Sequence, residues 1–138
     1  MNAKQYLQQI RKMNAEVGML ESEIENLYKP IKAVSYGGVP GTPDYDATLH
    51  LVERITELQK RYSDKLKEFI EKRDEVVQTI LRMSNDTNVT GVIYHRYVDL
   101  WSYQHIAKYM SYSVSHIKRL HYIGLQEIEM MIRNNTFD

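Results

Sequence analysis

From Ala3 onward the apolar positions Tyr6, Ile10, Met13, Val17, Leu20, Ile24, Leu27 and Ile31 alternate in steps of four and three. That is a heptad stripe, and it predicts a helix of about 26 residues ending near Tyr28, ahead of Pro30. A second stripe, Val52, Ile55, Gln59, Tyr62, Leu66, Phe69, Arg73, Val76, Ile80 and Met83, predicts a longer helix from Ala47 to Met83. Gln59 and Arg73 interrupt its seam, as polar residues do where register or strand number is being set. Between the two, residues 29–46 hold all three prolines and three of the six glycines, which predicts a loop. After the polar break Ser84–Asn88 a short helix is predicted from Val89 to Val98. Ile106, Ala107 and Met110 then recur at helical spacing, stop at Ser111-Tyr112-Ser113, and give way to Ile117, Leu120, Gly124 and Ile128 in phase. Met130, Met131 and Ile132 prolong this last helix, which frays from Arg133.

The predicted fold is all-α. Residues 1–83 form a long antiparallel helical hairpin, coiled-coil-like, with its loop at 29–46; residues 84–138 form a small helix-turn-helix domain. At about 1.5 Å per residue the predicted helices measure about 39 and 55 Å. In a hairpin some of the second stripe, about ten residues, would stay uncovered, and an apolar patch of that kind marks an interface. Another protomer and the C-terminal domain are both candidate covers. The protomer is the expectation, because one helix-turn-helix makes few base contacts and a dimer supplies the second half-site. A heptad seam does not itself reveal whose helix lies opposite.

The chemistry concentrates in the second helix of the corner. Ser113 is placed to cap it with its hydroxyl. Ser115, Lys118, Arg119 and Tyr122 lie three or four apart and share one side, with His116 beside them, while the apolar residues take the other side. Between Asp99 and Glu127 there is no acidic residue, whereas Lys108, Lys118 and Arg119 are basic and His105, His116 and His121 can become so. Carboxylates near phosphates are repelled, so a segment that approaches double-stranded DNA should have this composition. Ser115, His116 and Arg119 are the expected base readers, with Arg119 able to make a two-pronged contact to guanine. Tyr103, Gln104, Lys108, Tyr112, Ser113, Lys118 and Tyr122 are the expected phosphate contacts. Trp101, the one tryptophan, is read as a core anchor, with a base-stacking platform as the alternative.

The run from Val92 to Ile128 resembles the fourth region of bacterial sigma factors and the phage regulators that share it. The likeness is carried by Arg96-Tyr97, by Ser102, Tyr103, Ile106 and Ala107, and by Ser113, Ile117, Lys118 and Arg119. With its opening MNAKQYLQQIRKMN and long helices, the chain is also similar to small late-gene regulators of Gram-positive bacteriophages, the ArpU and RinA type. The resemblance implies a sequence-specific transcriptional regulator that activates phage or prophage late genes, with bacterial RNA polymerase as a possible partner. Val114, Ser115 and His116 stand where primary sigma factors usually carry charge, so the familiar promoter element is not implied as the target. A DNA-packaging recognition protein resembling the small terminase subunit joins the same two parts and is the alternative. It would form large rings, where a regulator should be a homodimer or small homo-oligomer. A structural coiled-coil adaptor without DNA binding is a third.

Composition adds limits. The chain has 138 residues, 43% hydrophobic and 26% charged, with zero formal net charge, so any cationic character must be local. The absence of cysteine removes disulfides, thiolate metal sites and a cysteine nucleophile. No apolar run approaches the roughly 18 to 20 residues that span a bilayer, and the N-terminus lacks a signal peptide's apolar core. A location in the cytoplasm of a bacterial host is expected. His116 and His121, five apart, do not share the helix face that a metal pair needs. No enzymatic activity and no cofactor are expected, because no convergent set of acids, bases or nucleophiles has a recognisable spacing.

Overall fold

A computed structural model describes residues 1–35 and 45–134, and every structured element among them is helical. In order they are α1 (Ala3–Leu7), α2 (Gln9–Ser35), α3 (Tyr45–Leu81), α4 (Thr87–Tyr97), α5 (Tyr103–Met110) and α6 (Val114–Arg133). No helix among the described residues is long and apolar enough to cross a membrane.

The chain parts into two compact units, one formed by residues 1–12 with 70–138 and the other by residues 13–69. The sequence boundary at 83/84 therefore lies inside the first unit. Val17, Ile55 and Leu58 are buried in the second unit, where the Lys65 ammonium meets the Glu16 carboxylate at 2.8 Å. Gln59 donates to the Tyr28 hydroxyl at 3.1 Å. Higher numbers on α2 thus pair with lower numbers on α3.

Three expectations for the long helices need correction. The first helix is broken at Gln8, which caps α1. It then runs through Pro30 to Ser35 rather than ending near Tyr28. Proline removes one backbone donor but its fixed φ is itself helical, and the Ile31-Lys32-Ala33 run that follows lets the helix resume. Residues 29–35 and 45–46, assigned to the loop, are accordingly helical, while the Gly37-Gly38 and Pro40–Pro43 portion of that loop lies outside the described residues. The third concerns α3, whose C-terminal part belongs to the first unit and is buried there, so the expected ten-residue excess of uncovered stripe does not arise. Tyr62, Leu66 and Phe69 are partly buried, and Val76, Ile80 and Met83 are buried; Val52 alone of the stripe's apolar members is exposed.

In the first unit α6 is the hub, packing on α4, α5 and α1. Val92, Ile106, Ala107 and Ile117 form its buried centre, flanked by Trp101, Tyr103, Met110, Val114 and Leu120. Each such aliphatic side chain removed from water stabilises the fold by about 1.5 to 3 kcal/mol. Gly124 allows the closest approach of α4 to α6, because a Cβ there would lie 2.4 Å from Ile93 Cγ1 and 3.3 Å from Val89 Cγ1. α1 is held by its own capping box, in which Asn2 and Gln5 exchange side-chain to backbone bonds. Its buried Ala3, Tyr6 and Leu7 anchor it, with Tyr6 hydroxyl contacts to Glu75 at 3.0 Å and Thr79 at 3.1 Å. Burial pushes the Tyr6 phenol up to about 12.

Candidate nucleic-acid interface

α5 and α6 are joined by three residues whose geometry is set locally. Ser102 caps α5, accepting from the His105 N–H at 3.1 Å, and Ser113 caps α6, accepting from the His116 N–H at 3.1 Å. These caps satisfy amides that a helix start would otherwise leave unpaired. α5 ends at Ser111, which adopts the left-handed conformation (φ 60°, ψ 41°). The Tyr112 N–H then closes back onto the Ala107 carbonyl at 2.9 Å. The corner is consequently tight, and both helices start on a serine.

α6 divides lengthwise as its sequence predicts. Ile117, Gly124 and Ile128 are buried, and Leu120 is half-buried. Ser115, Lys118, Arg119 and Tyr122 are exposed, Tyr122 by 62%. Lys118, Arg119, Tyr122 and Ile123 line a shallow depression. Ser113, Gln104 and Lys108 are exposed as well. His116 is half-buried, with its ring edge-on to Tyr112 at 4.6 Å. Tyr103 is half-buried too, with the Arg96 guanidinium over its ring at 4.2 Å and the Lys118 ammonium at 5.8 Å. Tyr103 and Lys118 are thus brought together, as are Tyr112 and His116, with Tyr103 already engaged by two cations.

The acids bordering the acid-free window are tied up within the first unit. Asp99 meets His95 Nδ1 at 2.7 Å. Glu127 Oε1 accepts from the Ser84 N–H and hydroxyl at 2.6 and 3.1 Å, and Glu129 accepts from the Ala3 N–H at 2.7 Å. The partners of these carboxylates thus lie on α4, in the α3–α4 connection and at the start of α1.

One expectation about this region changes. His121, counted among the groups that can become cationic, is buried, and its Nε2 lies 2.6 Å from the Tyr97 hydroxyl. Burial, with Arg96 and Lys4 adding to it, lowers its pKa to about 4. It is therefore neutral at neutral pH and belongs to the α4–α6 packing. Its spacing from Ile117, Gly124 and Ile128 puts it on the apolar side of α6, and burial decides its charge. Trp101, read as a core anchor, packs on the buried centre but is only half-buried. His95 stacks on one face of the indole at 4.5 Å and His105 on the other at 4.0 Å, with Tyr109 edge-on at 5.2 Å. With both faces taken, the indole is no platform for a base.

The structure also brings in contacts that the sequence reading did not anticipate, one of them from Asn88, which it did not single out. Arg96 donates to the Trp101 carbonyl at 3.0 Å while covering Tyr103, and so fixes the connection in which Leu100 has a φ of 60°. Asn88, in the first turn of α4, donates to the Tyr112 hydroxyl at 3.0 Å. Neither contact has a local pattern that would reveal it. Among the described residues no three histidine or carboxylate side chains converge as a metal-ligand set. No family model, no curated protein and no solved structure matches the chain.

Proposed function

We propose that the protein is a sequence-specific regulator that binds double-stranded DNA, with α5, the turn 111–113 and α6 acting as a helix-turn-helix and α6 entering the major groove. The observation that carries this reading is the two-sided character of α6. Its apolar residues are held in the domain centre, and the same packing leaves Ser115, Lys118, Arg119 and Tyr122 facing outward. A cationic, hydroxyl-bearing ridge on a rigidly seated helix is what groove entry requires. In this reading Arg119, Ser115 and His116 read bases. Lys118, Lys108, Gln104, Ser113, Tyr103, Tyr112 and Tyr122 meet phosphates.

α2 and α3 act as an antiparallel hairpin that serves assembly, and a homodimer or small homo-oligomer would present paired recognition helices to two half-sites. This rests on the half-site argument alone, since α3 does not carry the long uncovered stripe that its sequence suggested. The sigma-like residues Arg96, Tyr97, Ser102, Tyr103, Ile117, Lys118 and Arg119 support the more specific role of activating phage or prophage late genes by positioning RNA polymerase.

Selection from a pool of random duplexes tests the proposal, run in parallel with the native protein and Arg119→Ala. The native protein should enrich one site. The variant should lose about 1 to 3 kcal/mol at a single base pair of it. No enriched site, or the same site recovered unchanged by the variant, would overturn base reading by α6.

A further inference from the structure

The contact between Asn88 and Tyr112 joins α4 to the turn of the proposed DNA-binding unit, and it determines which way a hydroxyl proton points. Tyr112 is held on three sides. Its N–H is bonded to Ala107, its ring lies edge-on against His116, and its hydroxyl oxygen accepts from the Asn88 carboxamide. Asn88 is itself positioned because its backbone N–H donates to Asp86 Oδ1 at 2.7 Å at the start of α4. A phenol oxygen that already accepts from an amide keeps its own proton to give. Tyr112 is 37% exposed, so that proton is offered at the surface, beside the residues that open α6. The group it suits is an acceptor oxygen that cannot donate, and on duplex DNA the non-bridging phosphate oxygens are of that kind. Asp86 is the nearby charge of the wrong sign, and its carboxylate faces the amide-rich N-terminus of α4, which offsets it.

We infer that Asn88 is a positioning residue of the DNA interface: it orients the Tyr112 hydroxyl as a donor to one backbone phosphate next to the bases that Ser115 and His116 read. The inference rests on the DNA-binding reading above and adds to it a residue outside the two helices of the motif. It also fixes the register of α4 against the duplex.

The test uses the full chain and a duplex selected from the random pool, with each phosphate replaced in turn by a methylphosphonate, which removes one acceptor oxygen. For the native protein one substitution facing the turn should weaken binding about three- to tenfold, the effect of one hydrogen bond. Tyr112→Phe keeps the ring and lacks the hydroxyl, so it should bind the unmodified duplex more weakly by a similar factor and be indifferent to that methylphosphonate. Asn88→Ala should show the same indifference. Asn88→Asp should bind more weakly still, because an ionised carboxylate accepts the phenol proton and turns it inward. A purely structural Asn88 would lower affinity while leaving the methylphosphonate effect intact in Asn88→Ala, and that result overturns the inference alone. Failure of the native protein to bind any duplex at low salt overturns the DNA-binding reading together with it.

Discussion

The Tyr97 hydroxyl and His121 Nε2 lie 2.6 Å apart in the buried seam between α4 and α6, and burial makes both difficult to ionise. Burial, assisted by Tyr103, raises the phenol to about 12, against the opposing pull of Arg96 and Arg11. Burial also lowers the imidazole to about 4. At neutral pH both are uncharged, and a single hydrogen bond joins them.

Acid should therefore weaken the first unit. The folded pKa of His121 lies below the value of about 6.5 for an unfolded chain, so between those two values the unfolded state binds more protons. Stability is complete above pH 6.5 and is lost as pH falls toward 4. By pH 5 the loss from this group is on the order of 2 kcal/mol. His121→Gln retains an acceptor for Tyr97 and does not titrate. Urea unfolding at pH 7 and pH 5 should show a smaller pH dependence in the variant by about that amount, and identical slopes would mean that His121 is not buried neutral.

Arg96 should matter to the fold more than its exposure suggests. Its guanidinium joins the Trp101 carbonyl to the Tyr103 ring, and a charge-assisted hydrogen bond and a cation–π contact together contribute about 2 kcal/mol. Arg96→Ala should lower the urea midpoint accordingly. Arg96→Lys should recover less than half, since an ammonium cannot stack its plane on the phenol. Emission from Trp101 reports on the same connection and should shift to longer wavelength in both variants.

Two glycines should respond oppositely to alanine. At Gly124 the new methyl would press on Ile93, which is fully buried and cannot move aside, so Gly124→Ala should destabilise by about 1 to 2 kcal/mol despite alanine's helix preference. At Gly18 nothing lies within 4 Å of the added Cβ, and Gly18→Ala should stabilise by up to about 1 kcal/mol. Denaturation midpoints of the pair would establish both signs.

Ser111 bears the left-handed bend between α5 and α6 without being glycine. That conformation costs an L-residue about 1 to 2 kcal/mol, partly offset by the extra freedom glycine loses on folding. Ser111→Gly should thus stabilise by about 0.5 kcal/mol, while Ser111→Val, branched at Cβ, should destabilise. Thermal unfolding of the two variants would check the ordering.

What could be read from the sequence was what is local. α3 begins and ends within two residues of its predicted span, because a stripe sustained over ten turns leaves little freedom in phase. Ser113 was legible as a cap because the hydroxyl, the amide it serves and the interruption of the apolar pattern lie within a few residues of one another. Helix continuation through Pro30 was not, since a single proline costs one bond and a long helix can tolerate the loss. The exposed face of α6 followed from periodicity. The charge state of His121 did not, because burial sets it, with Arg96, more than twenty residues away along the chain, adding to the shift. Asn88 pairs with Tyr112 across a similar gap, and no spacing rule connects them.

The bond from the Ala3 N–H to Glu129 spans 126 residues. On a ribosome, the members of the unit 13–69 emerge together, whereas α1 must wait for α6 before its packing is complete. The first unit can therefore close only after α6 has been synthesised, and a chain truncated before residue 129 would leave Ala3, Tyr6 and Leu7 open to chaperones and proteases.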